Sequence, residues 1–281
     1  MHAGLKIRRA LLASFALVIG LAACSSGDDD SDAKSSDKAS DETTTTAAPE
    51  PLRILVTNDD GVGGEGIAAL VDGLQSLDAV EITVVAPADN KSGTGGQTSP
   101  TPPKATEAKL VNGDEAIAVA GFPADSVVHA LDEVLDEKPH VVVSGINAGQ
   151  NLGPIVNVSG TVGAARMAAS RGIPALAVSQ GIGESYDYET GVKLALQWIG
   201  EHRADLLAGK VPTDTIANLN VPSCSTGEVR GVEEVPTASD ATGRDPVGGK
   251  PDCTSTATDP KDDIDAYLEG YAPLAEVPAK A

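Results

Sequence analysis

The chain has 281 residues and a formal net charge of −21 at pH 7, with 41 acidic and 20 basic side chains. This balance disfavours binding to nucleic-acid polymers or to anionic lipid surfaces, since both need a surplus of basic residues. An acidic protein can still bind a small phosphate when a metal cation lies between the two.

The first 24 residues have the features of an export signal. Basic residues precede an apolar run from 10 to 23, which is too short for a membrane-spanning helix. The run ends in Leu21-Ala22-Ala23-Cys24, which resembles a bacterial lipobox and predicts lipid attachment at Cys24. An ordinary secretory signal with a chance cysteine is the alternative. We expect an exported protein that is held at the cell membrane by this lipid alone.

Residues 25–51 predict a disordered acidic tether, because they combine Ser, Thr, Ala, Pro and acids without apolar periodicity. Residues 52–281 are long enough for one sizeable domain. Disulfides persist in exported domains, so Cys224 and Cys253 are expected to pair. Two free thiols are the alternative.

Strand and helix patterns alternate along this domain. Because several strands are continuous apolar runs, we predict an α/β fold with a mainly parallel, doubly covered, Rossmann-like sheet and a C-terminal extension. Residues 222–260 are poor in apolar residues and predict a long surface excursion, with or without a hairpin. The predicted strands are 53–57, 80–86, 116–119, 140–144, 173–179 and 215–221, and the predicted helices are 67–77, 124–135, 161–170 and 189–207.

Polar side chains follow three of the predicted strands. Asp59 and Asp60 come after the first strand, Ser92 after the second, and Asn147 after the strand at 140–144. The carboxyl ends of parallel strands meet at one edge of a sheet, so these side chains are expected to converge. Their hard oxygen atoms predict a site for Mg²⁺, Mn²⁺ or Ca²⁺, in which Asp59 or Asp60 also positions or activates a nucleophile.

A second group of residues favours phosphate. Ser159, Gly160 and Thr161 begin a predicted helix, whose unpaired N–H groups and dipole attract anions. A metal facing a phosphate cradle is typical of metal-assisted phosphoester hydrolysis. Each motif taken alone is commonly a turn or a helix start. The glycines of residues 61–66 also match a dinucleotide-binding pattern, which we discount because the neighbouring acids would repel a pyrophosphate.

The positions of the histidines narrow the range of possible catalytic mechanisms. His2 lies in the signal, His140 begins a strand at the opposite end of the sheet, and His129 and His202 lie within predicted helices. None follows a strand at the candidate site. Phosphohistidine chemistry and Ser-His-Asp hydrolysis are therefore disfavoured.

At these residues the sequence resembles the SurE (survival protein E) family of nucleotidases. The resemblance implies a metal-dependent 5′/3′-nucleotidase that acts on nucleoside monophosphates and forms dimers or tetramers through its C-terminal arm. It places metal ligands at Asp59, Asp60, Ser92 and Asn147, and phosphate-side residues at Asn58, Asn151, Ser159, Gly160 and Thr161. The segments that carry the resemblance are 53–61, 84–87, 91–93, 121–125, 143–153, 159–165, 172–179, 218–222 and 270–274.

The chain departs from the family pattern in places. The family tends to carry a histidine in the segment that here reads Ser-Gly-Thr-Gly-Gly-Gln, at residues 92–97. Export with a lipid anchor is also unusual for a family found mostly in the cytoplasm. These departures leave open a second function, a lipid-anchored protein that captures a phosphorylated solute without turnover.

Overall fold

A computed structural model describes residues 49–280 of the chain. The predicted signal, the lipidation site at Cys24 and nearly all of the predicted tether lie outside the described residues. Within residues 49–280, no helix combines the length and the hydropathy needed to cross a membrane. Residues 49–280 form one compact unit.

The described chain forms nine strands and five α-helices, and the order of these elements follows the predicted alternation. A π-helical turn over Ala130–Val134 extends the second helix, and a 3₁₀ turn over Gly153–Asn157 precedes the third. The strands are β1 Leu52–Thr57, β2 Val80–Pro87, β3 Ala105–Lys109, β4 Glu115–Val119, β5 Val141–Ala148, β6 Ala175–Gln180, β7 Thr215–Val221, β8 Val232–Glu234 and β9 Ala272–Pro278. The helices are α1 Glu65–Gln75, α2 Pro123–His129, α3 Gly160–Ser170, α4 Tyr188–Leu207 and α5 Asp263–Leu268.

All nine strands join one sheet in the order β3-β4-β2-β1-β5-β6-β7-β9-β8. The six strands from β4 to β7 in this order pair in parallel. Antiparallel pairing occurs between β3 and β4 and between β7 and β9. The predicted mainly parallel sheet is confirmed.

Helices cover both faces of the sheet, which explains why its central strands β1, β5 and β6 are buried at almost every position. Side chains alternate along β1, so Ile54 packs into one core together with Ile67 of α1. Leu55 packs into the opposite core with Val162 of α3. Each of these side chains is 1% exposed or less, and burying one stabilises the fold by roughly 1.5–3 kcal/mol.

Some elements differ from the sequence prediction. The α-helix expected over 124–135 ends at His129 and continues as the π-helical turn. The sequence analysis missed β3, α5 and β9. Strand β3 is a partly exposed edge strand with few apolar residues, and β9 contains Pro273 and Pro278, which weaken a strand pattern.

The excursion at 222–260 contains one short strand, β8, and no hairpin of its own. Strand β8 pairs in parallel with β9, which lies far along the chain. Cys224 and Cys253, which were expected to pair, form a disulfide in the structure with their Cα atoms 5.8 Å apart. It joins two positions near the ends of the excursion and so closes a stretch with little apolar content into a covalent loop.

Candidate active site

The candidate site lies where the strand order reverses. The chain leaves β1 toward β2 on one side and later returns to β5 on the other side. The carboxyl ends of β1 and β5 therefore flank a crevice, where open α/β sheets bind ligands. Asp59 and Asp60 follow β1 directly, and Asn147 lies in the last part of β5.

Asp59 is buried against the start of α3. Its side chain is 3% exposed, and its Oδ1 accepts a hydrogen bond of 2.6 Å from the hydroxyl of Thr161. A Cβ added to Gly160 would lie 2.7 Å from the Cβ of Asp59. Glycine at 160 therefore allows the aspartate and the helix N-terminus to touch.

Asp60 connects three segments of the site. Its Oδ2 accepts the backbone N–H of Ala148 at 3.0 Å, next to Asn147. Its Oδ1 accepts Nδ2 of Asn90 at 3.0 Å, and Oδ1 of Asn90 accepts the backbone N–H of Ser92 at 3.0 Å. The loop after β2 is also tied down by the N–H of Lys91, which donates to the carbonyl of Asp59 at 2.7 Å.

The four predicted metal ligands thus come to one edge of the sheet, although they differ in exposure. Asn147 is buried, and its Nδ2 donates to the carbonyl of Gly149, so Oδ1 is the atom left to serve as a ligand. Ser92 is exposed. Within residues 49–280 no three His, Cys, Asp or Glu side chains cluster as a metal group. A cation here would bind two carboxylates together with neutral oxygen atoms.

The electrostatics of the two aspartates favour such a cation. Burial raises the pKa of Asp59 to about 6; the negative charge of Asp60 adds to this, and the hydrogen bond from Thr161 opposes it. Burial also raises the pKa of Asp60. Two desolvated neighbouring carboxylates are costly without a positive charge, and their oxygen atoms suit a hard divalent ion.

Two of the predicted phosphate-side residues have clear local roles. Ser159 is the N-cap of α3, where its Oγ accepts the backbone N–H of Val162 at 3.1 Å. Asn58 closes the turn after β1, because its side chain bonds both the N–H and the carbonyl of Gly61. These bonds fix the backbone that carries Asp59, Asp60 and the start of α3.

Asn151 is held by a pair of asparagines that the sequence analysis did not single out. Its N–H donates to Oδ1 of Asn220 at 2.6 Å, and its carbonyl accepts from Asn218 and Asn220. Its own Nδ2 donates to Ser179 at 2.9 Å. Asn218 and Asn220 are two residues apart near the end of β7, and extending the strand-end argument to that strand would have found them.

The C-terminal part of the chain supports the same loop. Asp263, at the start of α5, is fully buried. Its carboxylate accepts the N–H of Gly153 and the N–H of Ala238, both at 2.8 Å. Asp263 therefore braces the loop after β5 and joins it to Ala238 of the excursion at 222–260.

His140 lies away from this site, as predicted. Its ring accepts the backbone N–H of Arg53 at 3.0 Å, at the beginning of β1 and opposite the end that carries Asp59. The ring of His202 in α4 is stacked on Trp198. Neither histidine is placed for chemistry at the crevice.

Comparison with known proteins agrees with this geometry. Residues 54–243 match the family model described as survival protein SurE. The chain is 41% identical over 184 residues to the 5′-nucleotidase SurE of Carboxydothermus hydrogenoformans, covering 64% of this chain and 69% of that protein. It is 47% identical over 129 residues to the 5′-nucleotidase SurE of Methanopyrus kandleri, covering 46% of this chain and 49% of that protein.

A solved structure shows the same fold. The crystal structure of the SurE protein from Aquifex aeolicus superposes with a TM-score of 0.65 at 28% identity. The match covers 81% of this chain and 94% of the Aquifex chain. With the family model matching more than half of its length, the chain belongs to the SurE family.

Proposed function

We propose that the chain is a divalent-metal-dependent phosphomonoesterase that hydrolyses nucleoside monophosphates as a 5′/3′-nucleotidase. Its relatives from Carboxydothermus and Methanopyrus carry the name 5′-nucleotidase, which supports a phosphomonoester hydrolase. The observation that carries the proposal is the contact of the Asp59 carboxylate with the first turn of α3. It places acids suited to a cation directly beside a helix terminus suited to a phosphate.

Each residue then has a defined task. Asp59, Asp60, Ser92 and Asn147 would hold the cation, which when bound supplies charge neutralisation at the phosphate and a more acidic water. Asp59 or Asp60 orients the attacking nucleophile. The backbone N–H groups at the start of α3 face the phosphate and stabilise the charge that develops on its oxygen atoms.

Phosphate release tests the proposal. The purified protein is assayed with 5′-AMP, 3′-AMP and an aryl phosphate, with Mn²⁺ or Mg²⁺ and then with a chelator. We expect turnover that the chelator abolishes and the metal restores. Tight binding of AMP without phosphate release would instead favour the solute-capturing function.

We also propose that the chain works outside the cytoplasm, anchored to the cell membrane through lipid on Cys24. The disulfide between Cys224 and Cys253 supports an oxidising compartment. Metabolic labelling with a radioactive fatty acid should mark the wild type but not Cys24→Ser. Labelling of both proteins, or of neither, would contradict the anchor.

A homodimer or homotetramer is proposed for the active form, on the basis of family membership. Strand β9 pairs with β7 of the same chain, and the short strand β8 forms the edge of the sheet beyond it. Sedimentation velocity at micromolar concentration should give a single species of twice or four times the chain mass.

A further inference from the structure

Two exposed aliphatic residues near the candidate site are joined through their backbones by one buried side chain. Ile182 follows β6 and is 49% exposed, and Val247 lies in the disulfide-closed excursion and is 50% exposed. Large hydrophobic side chains with this much exposure are few among residues 49–280. The others are Val111 and Val158, and Tyr186 is less exposed at 38%.

One buried side chain holds this pair in place. Gln150, in the loop after β5, is 5% exposed. Its Oε1 accepts the backbone N–H of Ile182 at 3.0 Å, and its Nε2 donates to the carbonyl of Val247. Both ends of the amide are engaged, so Gln150 fixes the backbone at the two exposed positions.

Ile182 borders the proposed metal site. A Cβ built on Gly149 would lie 3.7 Å from Cγ1 of Ile182 and 3.9 Å from Nδ2 of Asn147. Ile182 therefore lies across a single glycine from a proposed metal ligand. A substrate whose phosphate lay between Asp59 and α3 would extend from the same crevice.

We propose that Ile182 and Val247 form an apolar platform for the nucleobase of the substrate, and that Gln150 is the positioning residue for that platform. The inference rests on the proposed nucleotidase function. A nucleobase has flat faces that pack on aliphatic groups, and its binding removes both side chains from water. The two side chains offer no polar group, so the platform would accept purines and pyrimidines alike.

The test compares two substrates that share a phosphate and a ribose, only one of which carries a base. Ile182→Ala and Val247→Ala are assayed with AMP and with ribose 5-phosphate. We expect KM for AMP to rise roughly tenfold, as for loss of a few methylenes from an apolar contact, with kcat preserved. The parameters for ribose 5-phosphate stay at the wild-type values.

Matched variants separate the platform from general damage. Val111→Ala removes another exposed aliphatic side chain, from the turn between β3 and β4. It should leave KM and kcat for both substrates at the wild-type values. Gln150→Ala should raise KM for AMP selectively. Gln150→Glu keeps the acceptor for Ile182 but replaces the donor to Val247 by a carboxylate oxygen, so it should also raise KM for AMP.

The outcomes distinguish a failure of the proposed platform from a failure of the proposed nucleotidase function on which it rests. Equal losses on both substrates, or no loss on either, would overturn the platform while leaving a phosphatase. A wild type that hydrolyses neither substrate in the presence of metal would overturn the nucleotidase itself. A halved sedimenting mass on mutation of Ile182 would assign the pair to contact with a second copy, and would also overturn the platform.

Discussion

The hydroxyl of Thr161 donates a 2.6 Å hydrogen bond to Oδ1 of Asp59, across 102 positions of sequence. This bond joins the end of the central strand to the first turn of α3. It fixes one oxygen of a buried carboxylate and leaves the second for another partner. The acid and the helix terminus proposed to bind phosphate are thus one structural unit.

Replacing either aspartate by asparagine should abolish most activity. Asp59→Asn and Asp60→Asn keep the shape of the side chain but remove a charge that the proposed cation requires. We expect kcat to fall roughly 10²–10³-fold or more, as for loss of one preorganised electrostatic group. Circular dichroism should remain that of the wild type.

Asp78→Asn is the matched control, because Asp78 is exposed and precedes β2 at the opposite end of the sheet. It should keep normal turnover. Near-normal kcat in both Asp59→Asn and Asp60→Asn would refute the assignment of these residues.

The stability of the metal-free protein should depend on the charge of Asp59. The folded pKa of about 6 lies above the ordinary value of 3.8, so the native state keeps a proton that the unfolded state loses. Stability from this group is present below pH 4 and is lost as the pH rises through 6. At pH 7.5 the buried charge costs about 1–3 kcal/mol, given 1.36 kcal/mol per pKa unit.

Urea denaturation with a chelator checks this at pH 4 and pH 7.5. Asp59→Asn should be more stable than the wild type at pH 7.5, and the difference should shrink toward pH 4. Added Mn²⁺ should stabilise the wild type more than the variant. If the wild type were more stable than Asp59→Asn at pH 7.5 in chelator, burial of the Asp59 charge would not be destabilising.

Gly160 should resist substitution, because a Cβ there meets the Cβ of Asp59 at 2.7 Å. Gly160→Ala would push Asp59 and the start of α3 apart, and a misplacement of this kind can cost roughly 10²-fold in kcat/KM. Gly200→Ala is the control, since a Cβ at this position in α4 meets nothing within 4 Å. It should keep full activity and gain about 0.5–1 kcal/mol of stability.

The disulfide should stabilise the excursion that braces the site. Reduction, or the double substitution Cys224→Ser with Cys253→Ser, should lower the free energy of unfolding by about 2–4 kcal/mol. Thiol titration of the unfolded protein should find the two cysteines blocked before reduction and free afterwards. A reductant that lowers Tm as much in the double variant as in the wild type would exclude the bond as the cause.

Much of the candidate site could be predicted from the positions at which apolar runs in the sequence end. Strand β1 ends at Thr57 and is followed by the polar Asn58, Asp59 and Asp60, so the strand-end rule already placed the acids. The rule was not extended to β7, where Asn218 and Asn220 clamp Asn151. The proline-containing strand β9 and the turn-rich excursion have no local apolar periodicity from which their structure could be predicted.

The sequence alone determined the parallel, doubly covered sheet and the residues at its strand ends, because burial on both faces imposes apolar runs along the chain. It also determined that the two cysteines could pair. Tertiary structure decided that Thr161 bonds Asp59, that Asp263 braces Gly153 and that Gln150 brings Ile182 beside Val247. These contacts join segments far apart in the chain, and their geometry depends on loop paths that no local pattern specifies.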